Sequence, residues 1–69
     1  MINGVVRWFD DKKGYGFIES HGIDYFVHFK QIKQEGYKSL QQGDKVQFEA
    51  ATSEKGKVAK DVSITQRAS

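Results

Sequence analysis

Apolar and polar positions alternate along this chain in short runs, and the runs are separated by polar stretches that carry most of the glycines. The runs cover residues 2–9, 15–19, 23–29, 45–50 and 57–65. The fourth alternates cleanly, with Val46, Phe48 and Ala50 on one face. No window carries an apolar stripe at helical spacing, so the only helical element expected is one 3₁₀ turn over Phe29-Lys30-Gln31-Ile32. Seven glycines and no proline complete the punctuation of an all-β chain. Five short strands must protect their edges, and closure into a barrel does so with the least sequence. The expected architecture is therefore a five-stranded antiparallel OB-fold barrel, one domain over residues 1–69. Strand order alone does not separate it from an SH3-like barrel.

The second and third runs carry the chemistry. Period-two alternation sets Tyr15 and Phe17 on one face of the second strand, and Gly14, Gly16 and Ile18 on the other. In the third, Phe26 and His28 share a face, opposite Tyr25, Val27 and Phe29. With Ile18 and Val27 turned to the core, Tyr15, Phe17, Phe26 and His28 all turn outward. Any one phenylalanine is more often core than not. Burying all of these rings would require both faces of both strands to be covered, and the chain has no second layer to cover them. An exposed aromatic cluster marks a binding surface. Planar rings spaced along a sheet suit unpaired bases, each stacked base contributing about 1–3 kcal/mol with little sequence preference. Lys13 stands at the rim of this face, and Arg7, Lys12, Lys30, Lys38 and Lys55 are candidates to follow a phosphate backbone, although a lone lysine is usually only a solvated charge. Trp8 shares its parity with Val6, so a regular strand would turn it into the core; only a bulge or bend brings it outward.

Composition narrows the field. A chain of 69 residues makes one small domain with a thin core. It has no cysteine, and its only imidazoles are His21 and His28, so neither a disulfide nor a structural metal site is expected, and no cofactor. Eleven basic and nine acidic side chains leave a charge of +2, too weak for a nucleic-acid-binding tail; position, not net charge, must carry the argument. No segment approaches the roughly 18 consecutive apolar residues of a membrane span, and no apolar leader opens the chain; a soluble cytoplasmic monomer is expected. Catalysis is not. Asp24 and His28, four apart on a strand, are separated by roughly 13 Å, and no nucleophile or phosphate loop accompanies them.

The string Lys13-Gly14-Tyr15-Gly16-Phe17-Ile18 lies close to the K/R-G-F/Y-G/A-F-V pattern of RNA-recognition motifs. Those domains need two helices and place their shorter motif first; here the helices are missing and the order is reversed. Joined to Phe26-Val27-His28-Phe29, the string makes the chain resemble the bacterial cold-shock protein family. The resemblance runs from Gly4-Val5-Val6-Arg7-Trp8-Phe9 through Gly36-Tyr37-Lys38-Ser39-Leu40 and Gly43 to Gly56 and Val62. It implies an OB barrel that binds pyrimidine-rich single-stranded RNA and single-stranded DNA, acts as an RNA chaperone and influences transcription or translation, with no membrane and no small-molecule substrate. By the same resemblance Trp8, Phe9, Tyr15, Phe17, Phe26, His28, Phe29 and Tyr37 take stacking roles. Arg7, Lys13 and Asp24 make polar contacts; Lys38 and Lys55 are counted with the interface from the charge reading above, not from the resemblance. The chain departs from the family at Asp10 (usually Asn), Lys57 (commonly Pro), Tyr25 (usually a small aliphatic) and Lys30-Gln31 (usually a small pair). A peptide-binding SH3-like barrel is the competing reading, and it leaves Lys13 beside two rows of rings unexplained.

Overall fold

Each alternating run becomes a strand in the computed structural model, which describes residues 1–33, 39–54 and 56–68. The order is β1 (Ile2–Asp10), β2 (Tyr15–Ser20), β3 (Ile23–His28), a 3₁₀ turn (Phe29–Gln31), β4 (Lys45–Ser53) and β5 (Gly56–Gln66). They close into a barrel in the order β1-β2-β3-β5-β4, the architecture of an OB-fold. The β2–β3 connection is a two-residue turn. His21 (φ 51°) and Gly22 (φ 79°) both take positive φ, as the tight primed hairpin turn demands.

The barrel is not antiparallel throughout, which corrects the sequence expectation. β3 and β5 run parallel, joined at Phe26↔Val58, whereas every other neighbouring pair is antiparallel. The reason is parity: directions cannot alternate around a closed ring with an odd number of members, so five strands must contain a parallel seam.

Alternation fills the interior. Ile18, Val27, Val46, Phe48 and Val62 are wholly buried, with Val6, Ile32, Leu40, Ala59 and Tyr25 packed among them. Tyr25, the bulky departure inside the barrel, sets its ring edge-on against Phe48 with centroids 5.0 Å apart. Three irregularities break the register, one of them at Thr65, skipped between Lys45↔Gln66 and Val46↔Ile64. Arg7 has no partner between Val6↔Ile18 and Trp8↔Phe17, and Asp61 with Val62 stand opposite Phe48, Asp61 in the left-handed region at φ 52°. Ala50 does not join Val46 and Phe48 in the core. The β1–β4 ladder ends at Ile2↔Phe48, so Ala50 lies on an overhang that pairs only with β5, and it is exposed.

The other end of the barrel is closed by a carboxylate. Asp44, fully buried, accepts from the backbone N–H of Gln41 (3.0 Å) and of Ala68 (2.7 Å) and from the guanidinium of Arg67 (3.3 Å). It ties the start of β4 to the tail beyond β5. Next to it, the Val6 N–H donates to the Asp44 carbonyl and the Gly43 N–H to the Val6 carbonyl, each at 2.9 Å, which holds β1 at its bulge.

Candidate nucleic-acid interface

The outward face of β1–β3 is built in cross-strand rows. Tyr15 pairs with His28, Phe17 with Phe26 and Glu19 with Asp24. Ile18 and Val27, between them in sequence, are fully buried, as the shared parity requires. The bulge at Arg7 resolves the position of Trp8. With Arg7 squeezed out of the ladder, Trp8 comes into register with Phe17 rather than following Val6 inward, and it is 44% exposed.

Four rings then form a closed circuit. Ring centroids lie 5.6 Å apart for Trp8–Phe17, 5.8 Å for Phe17–Phe26, 5.6 Å for Tyr15–Phe26 and 5.9 Å for Trp8–Tyr15. The pairs are tilted or edge-on, and none stacks face to face, so the rings do not use up their flat surfaces on one another. His28 continues the second row, its ring 4.6 Å from that of Phe29.

His28 also organises the turn that follows β3. Its Nδ1 accepts from the Lys30 N–H at 3.2 Å, capping the 3₁₀ turn and leaving Nε2 as the nitrogen that carries the proton of the neutral ring. The turn takes Phe29 off the core side that strand parity predicts, and 38% of it is exposed. Its ring lies on Gly14, where a β-carbon would stand 2.7 Å from Phe29 Cδ1, and its N–H donates to the Gly14 carbonyl at 2.8 Å. Gly14 is further required by its φ of 78°.

The basic rim is set by Asp10. Its Oδ1 accepts from the N–H groups of Lys12 (2.9 Å) and Lys13 (3.1 Å), and its carbonyl accepts from the Gly14 N–H (2.7 Å). The loop is thus folded by this carboxylate, with the exposed Lys12 and Lys13 beside the Tyr15–His28 row. Asp11 accepts from the Ser39 hydroxyl at 2.5 Å, fastening the same loop to the segment before β4.

A family comparison matches residues 2–65 to the "'Cold-shock' DNA-binding domain". The chain belongs to the cold-shock domain family. It is 51% identical over 63 residues to the cold shock proteins CspA of Staphylococcus saprophyticus and Staphylococcus epidermidis, and 49% identical to that of Staphylococcus aureus. Each alignment covers 90% of this chain and 96% of the relative.

Within this cold-shock domain the candidate residues do not all converge. Trp8, Tyr15, Phe17, Phe26 and His28 form the outward face, with Phe29 and Lys13 at its edge. Phe9 turns the other way, half-buried against the core, and stands beneath the face rather than on it. Arg7 and Asp24 lie at the opposite end from Lys13. Arg7 Nη1 is 3.0 Å from Glu19 Oε1, and Glu19 pairs with Asp24, so this end is acidic where the other is basic. Tyr37, Lys38 and Lys55 lie outside the described residues. Two residues with structural weight escaped the sequence reading: Asp44, whose partners are 3 to 24 residues away, and Asp10 as loop organiser, for which an acidic side chain two residues before a loop lysine was the available signal. Among the described residues, no group of three or more His, Asp or Glu side chains is placed to hold a metal ion, and no helix is long and apolar enough to cross a membrane.

Proposed function

We propose that this cold-shock domain binds unpaired, pyrimidine-rich RNA and DNA by stacking bases on Trp8, Tyr15, Phe17, Phe26 and His28, with Phe29 and Tyr37 extending the platform. Lys13, Lys38 and Lys55 attract the phosphate backbone, and Arg7 and Asp24 make polar contacts. The single observation that carries this reading is the outward circuit of four rings, tilted or edge-on to one another and flanked by a lysine-bearing loop. A solvent-facing aromatic surface of this kind lowers solubility unless it has a ligand, and bases supply the matching flat, apolar faces.

Binding that rests chiefly on stacking, which is tolerant of sequence, is the chemistry of an RNA chaperone. It holds transcripts unpaired and so influences transcription or translation, with no catalytic step, in the cytoplasm and as a monomer. The surface depression lined by Asn3, Val5, Ser20 and Thr65 shares no residue with the rings and plays no part in this reading.

Titration of Trp8 fluorescence with an oligothymidylate, set against a proline-rich peptide, tests the proposal. Saturable quenching by the oligonucleotide alone is expected. Quenching by the peptide alone would move the reading to an SH3-like interaction domain.

A further inference from the structure

The parallel seam carries the outward face past β3. Phe26 and Val58 are partners across it, and both are half-buried on the outer side, whereas Val27 and Ala59, next in each strand, are buried. Because the two strands run in the same direction, His28 and Lys60 each stand two residues beyond that pair, on the outward parity of their strands. Both strands stop being regular immediately afterwards. β3 enters its 3₁₀ turn at Phe29, β5 bulges at Asp61, and they meet again only at Ile32↔Val62. Lys60 is therefore the last outward residue of β5 before the kink, at the basic end of the aromatic face.

Its surroundings leave its charge uncommitted. Glu49 is its cross-strand partner on β4, yet among the described residues no carboxylate oxygen lies within 4.0 Å of the Lys60 ammonium, and the neighbouring Asp61 pairs with Lys33 at 3.7 Å. The Lys30 N–H is held by His28 Nδ1, so a second exposed lysine follows His28 on the turn after β3.

We propose that Lys60 is a phosphate-binding residue of the nucleic-acid interface, neutralising the phosphate of the nucleotide that follows the one stacked on His28 and drawing the single strand across the seam onto β5. This rests on the reading of the aromatic face as the base-stacking site. A flexible ammonium suits the task, since it acts as a point charge that follows a phosphate through several geometries.

The test compares Lys60→Gln with Lys45→Gln, an exposed lysine that starts β4 and pairs with neither β2 nor β3. Affinity for oligothymidylates of increasing length is measured across a salt series, with each variant's fold checked by circular dichroism. Lys60→Gln should flatten the plot of log affinity against log salt by roughly 0.7 for the longer oligonucleotides only, Lys60→Arg should restore it, and Lys45→Gln should leave it unchanged. An unchanged slope for Lys60→Gln, or the same change in Lys45→Gln, overturns the assignment while leaving the stacking site intact, Phe17→Ala still weakening binding at an unchanged salt slope. Failure of the wild-type domain to bind any oligonucleotide overturns both.

Discussion

Gly16 lies so close beneath Trp8 that a β-carbon on it would stand 2.2 Å from the Trp8 carbonyl oxygen and 2.7 Å from the Phe9 Cα. The approach is the inner side of the bulge at Arg7, which turns Trp8 outward and Phe9 inward. Gly16→Ala should therefore destabilise the fold by about 1–3 kcal/mol and weaken oligonucleotide binding at the same time. Gly22 has nothing within 4 Å and only its φ of 79° at stake, so Gly22→Ala should cost about 1–2 kcal/mol and leave binding unchanged. Urea unfolding paired with Trp8 fluorescence titration separates the two. Equal loss of binding in both variants would argue against the bulge as the device that presents Trp8.

Rings and lysines should fail differently. Stacking is largely insensitive to salt, whereas a neutralised phosphate releases counterions. Phe17→Ala or Phe26→Ala should cost about 1–3 kcal/mol in binding a pyrimidine-rich single strand, with the salt slope nearly unchanged. Lys13→Gln should flatten that slope by roughly 0.7 and matter little at high salt. Wild-type binding by both ring variants, each shown to be folded, would remove the aromatic sheet as the site.

Refolding should show no slow isomerisation phase. The chain contains no proline, and X-Pro isomerisation is the usual source of phases lasting tens of seconds. Stopped-flow refolding at low concentration checks this; a substantial slow phase independent of protein concentration would contradict it.

The buried Asp44 carboxylate, whose side chain ties β4 to the tail and not to the rings, should matter more to stability than to binding. Asp44→Ala leaves the N–H groups of Gln41 and Ala68 without their acceptor, a loss of about 1–3 kcal/mol for each buried donor that water cannot reach. Arg67→Ala leaves Asp44 its two N–H donors and removes a half-exposed contact at 3.3 Å, so it should cost less. Thermal unfolding of both, alongside oligonucleotide affinity, tests the ranking.

The outward aromatic face was legible because it depends on parity alone: Tyr15, Phe17, Phe26 and His28 sit on short regular strands where every second residue turns outward. Trp8 and Ala50 were not. A bulge shifts the register at Trp8, and Ala50 lies where β4 outruns β1; neither leaves a mark in the local pattern. Phe29 departs from strand parity for a related reason, since parity ends at the capped turn; only the family resemblance set Phe29 and Trp8 with the outward rings. The parallel seam was missed by the antiparallel expectation, although counting five strands around a closed ring requires one. The Asp44 clamp joins segments 24 residues apart and is invisible to any local reading.

That seam has a consequence for how the molecule opens. β1–β2–β3 form a meander and β4–β5 a hairpin, each held by long antiparallel ladders, but the parallel join rests on Phe26↔Val58 and the isolated bridge Ile32↔Val62. Separation there exposes the interior without breaking a single antiparallel pair, so its amides should be among the first to lose protection in hydrogen exchange. A short ligand resting on β1–β3 leaves the crack free to gape. One long enough to reach β5 acts as a suture, and the protection it confers on those amides should rise abruptly with its length.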